Sequence, residues 1–213
     1  HAEGKHVLDA NGKKQFDYGN NLESGSKQNY NSIATLYDDK FWSINSSVSG
    51  RSYIELLDFK TGPIRGLKFA ANLGFDFINQ QQHSYENPYF GNAAGSQGRA
   101  YKYSMNTLSK TFNQLLTYKR TFNEKHNLDF LVGHESYSYQ YNYMMGAKSG
   151  FPFGGLYELS AAATVITANS YEDNYTIESY LSRLNYNYAD RYYISGSFRR
   201  DGSSRFHSSN RWG

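Results

Sequence analysis

Two alternating runs of apolar and polar residues meet at Ala189, Asp190 and Arg191, within the stretch YLSRLNYNYADRYYISGSFRRDGSSRF that occupies residues 180–206. Side chains alternate across a strand, so Tyr180, Leu184, Tyr186 and Tyr188 share one face of the first arm, opposite Arg183, Asn185 and Asn187. On the second arm Tyr192, Ile194 and Phe198 oppose Tyr193, Ser195, Ser197 and Arg199. Folding the arms about Asp190 sets Tyr188 beside Tyr192 and Tyr186 beside Ile194, which predicts an antiparallel hairpin with coincident apolar faces. The other face is continuously polar. A sandwich strand would turn its apolar face to a second sheet and a membrane-barrel strand would turn it to lipid, and the hairpin alone fits both.

The same period recurs upstream. Leu67, Phe69, Ala71, Leu73, Phe75 and Phe77 oppose Lys68, Asn72 and Asp76. Leu108, Phe112, Leu116, Tyr118 and Phe122 oppose Thr107, Ser109, Thr111, Asn113, Thr117 and Thr121, while Leu128, Phe130 and Val132 oppose Asp129 and Glu135. A less regular strand is expected from about Phe41 to Phe59. Past Glu135 the apolar side changes hands, because Tyr137, Tyr139, Tyr141 and Tyr143 continue on the face of Asp129, as expected where a strand leaves a bilayer. About six strands result. Short turns are expected near Thr61, Glu124 and Asp190, and long connections over 79–102 and 146–174. That alternation fits a transmembrane barrel with short turns on one side and long loops on the other, and unstructured connections of such length count against a compact sandwich.

Composition agrees with an all-β chain: 21 tyrosines and 19 glycines against 3 prolines among 213 residues. The absence of cysteine excludes a disulfide framework and a Cys-based zinc site. A net charge of +3 without a dense basic cluster gives no support for nucleic-acid binding. No apolar run is long enough for a transmembrane helix, and the mean hydropathy of -0.75 is compatible with a barrel carrying long polar loops. Residues 1–40 are polar and expected to form an extracellular loop region. Asp9, Asn11 and Gly12 begin like a calcium loop, but Lys13 and Lys14 stand where further oxygen ligands would be needed, so a solvated loop is the better reading.

The hairpin followed by the unbroken run Arg199-Arg200-Asp201-Gly202-Ser203-Ser204-Arg205-Phe206, and then Asn210-Arg211-Trp212-Gly213, resembles the SusC/RagA family of TonB-linked outer-membrane transporters. Segments around Gly66 to Phe69 and Leu128 to Glu135 resemble barrel strands of that family less distinctively. The resemblance implies an incomplete antiparallel transmembrane β-barrel, with residues 1–213 forming part of the barrel domain and the plug domain outside these residues. It further implies TonB-dependent import of oligosaccharides or peptides across the outer membrane of a Bacteroidetes-type Gram-negative bacterium, with a SusD-like surface lipoprotein and TonB as partners, outer-membrane lipid around the wall, and no cofactor. The alternative from another class is a secreted β-sandwich module that binds glycans.

No enzyme signature emerges. The chain lacks G-x-S-x-G, H-E-x-x-H and a Walker A loop, its six histidines are scattered, and no metal site is expected. Strand parity places Arg183, Asn185, Ser195, Ser197, Arg199 and Asp201 on the polar face, which in a barrel is the lumen, where the charges are expected to pair mainly with one another. The loop aromatics Tyr85, Tyr89, Phe90, Phe151, Phe153 and Tyr157 are the candidates for gripping a sugar or peptide, weighed against packing the loops on themselves.

Overall fold

The computed structural model describes residues 8–13 and 32–213. A short helix α1 (Ser32–Asp38) leads into six strands: β1 (Lys40–Asp58), β2 (Leu67–Glu86), β3 (Arg99–Phe122), β4 (His126–Ser149), β5 (Thr164–Tyr188) and β6 (Tyr192–Ser203). They form one sheet in the order β1-β2-β3-β4-β5-β6, each strand beside its sequence neighbour, and β1 and β6 do not meet. The meander is open and the chain does not close a barrel by itself.

The β5–β6 register pairs Tyr188 with Tyr192, Tyr186 with Ile194, Asn185 with Ser195 and Arg183 with Ser197, as the alternation predicts. The turn uses Ala189 at φ 50° and Asp190 at φ 55°. Two consecutive left-handed residues match the right-handed twist of the flanking strands, although neither is a glycine. Side chains fix the turn: Asn187 Nδ2 donates to Asp190 Oδ1 at 2.6 Å, and Asp190 N donates to Asn187 Oδ1 at 2.8 Å. The β3–β4 turn repeats the device with Asn123 at φ 48° and Glu124 at φ 58°.

Two parts of the sequence reading change. Residues 79–86 continue β2 and 99–102 begin β3, so the expected loop over 79–102 shrinks to 87–98; likewise 146–149 extend β4 and 164–174 extend β5, leaving 150–163. Gln, Ser, Asn and Tyr carry no clear period there, but strand partners satisfy their backbone groups and keep them extended. Ser32–Asp38, expected as loop, is helical with Ala34 buried. Asp9 Oδ1 accepts from Asn11 N and Lys13 N at 2.8 Å, which commits that carboxylate oxygen to a local turn. Of the expected loop region 1–40, residues 1–7 and 14–31 lie outside the described residues.

The strands pass through two compact units, one comprising residues 1–45, 80–105 and 143–171 and the other 46–79, 106–142 and 172–213. The first holds both long connections and a small core of Tyr85, Ala100, Phe151 and Ala162, against which Leu156, Tyr157, Leu159 and Ala161 pack. Its connections are sewn together by backbone bonds, Phe151 N to Gln97 O at 2.8 Å and Ala163 N to Gly150 O at 3.0 Å. Asn87 is the hub: its N and Nδ2 donate to Asp39 Oδ1 at 2.8 Å each, and its Oδ1 accepts from Tyr89 N and Phe90 N. The second unit holds the three short turns and has large apolar side chains uncovered, among them Ile194 at 65% exposure and Phe198 at 61%.

Candidate functional site: the polar face and the loop aromatics

In the second unit the pairing register puts Ser179, Arg183, Asn185, Ser195, Ser197, Arg199 and Asp201 on one face of the β5–β6 hairpin. Arg199 is its organising charge. Nε donates to both oxygens of Asp201 at 2.9 and 3.0 Å, Nη2 donates to Ser179 Oγ at 3.2 Å, and Nη2 lies 3.6 Å from Glu135. A guanidinium suits this role because its planar fork of donors can serve several acceptors at once. Glu135 comes from β4, so the cluster ties β4 to β6 across β5, and Ser179 is fully buried beneath it. Elsewhere on the unit Arg51 pairs with Asp76 at 2.7 Å, Lys68 with Glu55, and Lys119 with Asp129 at 3.0 Å. Arg183 makes no ion pair among the described residues. Lys119, Asn127, Asp129, Asn185 and Ser195 line a groove of about 640 Å³.

An aromatic platform adjoins the charges. Tyr175 lies 5.9 Å from Tyr137 and 5.1 Å from Tyr139, and the Arg205 guanidinium sits 4.5 Å over the Tyr175 ring while its Nη2 donates to Asp173 at 2.5 Å. The stacked cation and tilted rings present flat apolar surface beside charged hydrogen-bonding groups, a combination suited to sugar rings or to peptide side chains. The sequence showed the alternation of Tyr137 and Tyr139, but Tyr175 joins them only through strand pairing and Arg205 through the turn that follows β6.

The opposite face of the hairpin carries Tyr180, Leu184, Tyr186, Tyr188, Tyr192, Ile194 and Phe198. Tyr180 stacks near Trp212 at 5.8 Å and His134 at 5.0 Å, and Arg200 lies 5.4 Å over the Trp212 ring. His134 Nε2 and Ser136 Oγ both contact the Glu178 carboxylate, at 2.6 and 2.9 Å. Polar groups thus resume on this face at Arg200, opposite Tyr180, and at Glu178, after a run of apolar and small residues between there and the turn.

In the first unit the loop aromatics divide. Tyr85, Phe90 and Phe151 are buried, and Tyr85 meets Phe151 and Tyr157 edge-on at 5.4 and 4.9 Å. The Tyr85 hydroxyl accepts from Gly155 N at 3.2 Å, and burial pushes the phenol pKa up, so it stays protonated. Tyr89 and Phe153 are exposed, Tyr89 lying against Gly154 and accepting from its N–H at 2.9 Å. Tyr157 is half-buried. Asp39 and Asn87, which fix the loop base, had no signal in the sequence beyond being polar. Among the described residues no cluster of three or more His, Asp or Glu side chains could hold a metal ion.

No protein-family model matches the chain. A TonB-dependent receptor of Formosa agariphila is 34% identical over 157 residues, covering 70% of this chain and 15% of its own length. The TonB-dependent receptor SusC of Bacteroides thetaiotaomicron is 29% identical over 159 residues, covering 74% and 15%. Among solved structures, the RagAB peptide transporter superposes with a TM-score of 0.77 at 26% identity over 95% of this chain and 22% of its own, and the RagAB peptide importer in its open-open state with 0.76 over 96% and 22%. The chain therefore spans 15 to 22% of the length of these relatives, which are named as receptors and transporters rather than enzymes. Open meander, segregated faces and sequence agree: the chain is a partial β-barrel segment of the SusC/RagA type of TonB-dependent receptor.

Proposed function

We propose that these residues form part of the wall of an outer-membrane transporter, with the Ile194 face against hydrocarbon and the Arg199 face lining the lumen. The observation that carries this reading is the hairpin register, which puts Arg183, Asn185, Ser195, Ser197, Arg199 and Asp201 on one side and the large uncovered Tyr180, Leu184, Tyr192, Ile194 and Phe198 on the other. From Tyr188 to Tyr180 is about 27 Å of strand at roughly 3.3 Å per residue, or about 20 Å of bilayer at a tilt near 40°, close to the apolar band of such barrels. Aromatic side chains bound that run at both ends, as an interfacial girdle does. Connections 87–98 and 150–163 face outward from the cell, and the turns at 123–125 and 189–191 face the periplasm.

The transported solute is an oligosaccharide or peptide that meets the platform of Tyr137, Tyr139 and Tyr175, with exposed Tyr89 and Phe153 available at the loops. The named likeness to a RagAB peptide transporter supports the peptide arm, and the likeness to SusC leaves the glycan arm open. A SusD-like lipoprotein at the loops and TonB acting through other parts of the receptor complete the assembly, in the outer membrane of a Bacteroidetes-type bacterium. Arg199 holds the wall strands in register, with Nε and Nη2 engaged by Asp201, Ser179 and Glu135.

Cysteine accessibility tests the topology. In a full-length receptor carrying this segment, Phe153→Cys reacts with an impermeant maleimide on intact cells and Arg191→Cys reacts only after the outer membrane is opened. Labelling of Arg191→Cys on intact cells with protection of Phe153→Cys overturns it.

A further inference from the structure

The outward face of the second unit has one feature that a uniform lipid-facing wall does not need. On β3, Lys110 stands between Leu108 and Phe112 on the strand's apolar side, is exposed, and has no hydrogen bond or ion pair among the described residues. Beside it lies a trough of about 600 Å³ lined by Leu73, Phe75 and Phe112 below and by Lys110, Ser136 and Ser138. Gly50 keeps the trough open: a Cβ there would lie 2.3 Å from the Phe75 ring, so the ring fills the room a side chain would have taken. Glu178, a carboxylate that contacts this face of β4, is already engaged by His134 and Ser136.

An unpaired ammonium on a hydrocarbon-facing surface is costly near the midplane and tolerable only where an anion or the headgroup layer receives it. We infer that this trough is a binding site for a phosphorylated acyl lipid of the surrounding membrane. An acyl chain lies along Leu73, Phe75 and Phe112, the Lys110 ammonium pairs with the phosphate, and the Ser138 hydroxyl donates to the same headgroup. Charge complementarity selects an anionic lipid over a zwitterionic or neutral one. The inference rests on the wall reading given above, because a lumen-facing trough would meet solute instead.

The test uses the full-length receptor in a neutral detergent, with diphosphoryl lipid A as the probe and its dephosphorylated form as the control, read by native mass spectrometry across a lipid titration. The wild-type protein retains the phosphorylated lipid in preference to the control. Lys110→Gln weakens that retention about fivefold, the scale of one basic residue at an anionic surface, and Lys110→Arg restores it. Equal retention by wild type and Lys110→Gln, or equal retention of the two lipids by wild type, overturns the site. Neither result touches the wall reading, which the cysteine labelling decides separately.

Discussion

Replacing outward residues of the hairpin by arginine, one depth at a time, separates lipid from protein as the neighbour of the apolar face. Ile194 pairs with Tyr186 and Leu184 with Gly196, so the two lie on one face at different distances from the turn. Measured from the Tyr188–Tyr192 pair, Ile194 is about 7 Å along the strand and Leu184 about 13 Å, which a tilt near 40° converts to depths of about 5 and 10 Å. In the run of about 20 Å between Tyr188 and Tyr180, Ile194 is then near the interface and Leu184 at the midplane. Leu184→Arg should cost about 2 to 4 kcal/mol and Ile194→Arg about 1 kcal/mol or less. Ser195→Arg, opposite Asn185 on the polar face, should change stability by no more than about 0.5 kcal/mol. The assay is urea titration of the full-length receptor in liposomes, followed by tryptophan fluorescence. A sandwich core has no depth gradient of this kind and would penalise both outward arginines strongly, because each would be buried without a partner. Equal losses for Ile194→Arg and Leu184→Arg would refute the lipid assignment, and a loss at Ser195→Arg exceeding both would show the faces reversed.

Gly66 sits at φ 93° and a Cβ there would lie 1.9 Å from the Lys119 carbonyl oxygen, so Gly66→Ala should destabilise by about 3 kcal/mol or more, whereas Gly62→Ala at φ 81° with open space should lose only about 1 kcal/mol; matched urea midpoints would count against the close approach. His83 stacks on Trp42 at 4.7 Å with its Nδ1 buried, and burial, with the charge of Lys102 second, holds its pKa below the ordinary histidine value. A depressed folded-state pKa means stability that is full above the unfolded value near 6.5 and is lost as pH falls below it, so hydrogen exchange of the amides around His83 should accelerate on acidification from pH 7 and His83→Gln should flatten that response; an unchanged pH profile in the variant would exclude His83 as the source.

The alternation along β2 and through the β5–β6 hairpin was legible because strand period is a purely local property and each arm keeps it without interruption. The turn at Ala189 and Asp190 followed from the need to bring Tyr186 to Ile194, and no tertiary information was required. The polar-face placement of Arg183, Asn185, Ser195, Ser197, Arg199 and Asp201 also came from parity alone, whereas the family came from the resemblance of the run Arg199 to Phe206. What the sequence could not set was where strands end when both faces are polar. Residues 79–86 and 164–174 carry no apolar alternation, and they are extended because neighbouring strands satisfy their backbone groups. The helix at Ser32–Asp38 is a single short element without a capping signal strong enough to distinguish it from loop. Burial was likewise decided in three dimensions: Tyr85, Phe90 and Phe151 look like the exposed Tyr89 and Phe153 in sequence, and only the closure of 87–98 on 150–163 separates the rings that fill the loop core from those that stay in solvent. The partners of Arg199 follow the same rule. Asp201 is two residues away and could be named from the strand, but Glu135 and Ser179 are brought to it by the order of strands in the sheet, a non-local pairing that side-chain period does not encode.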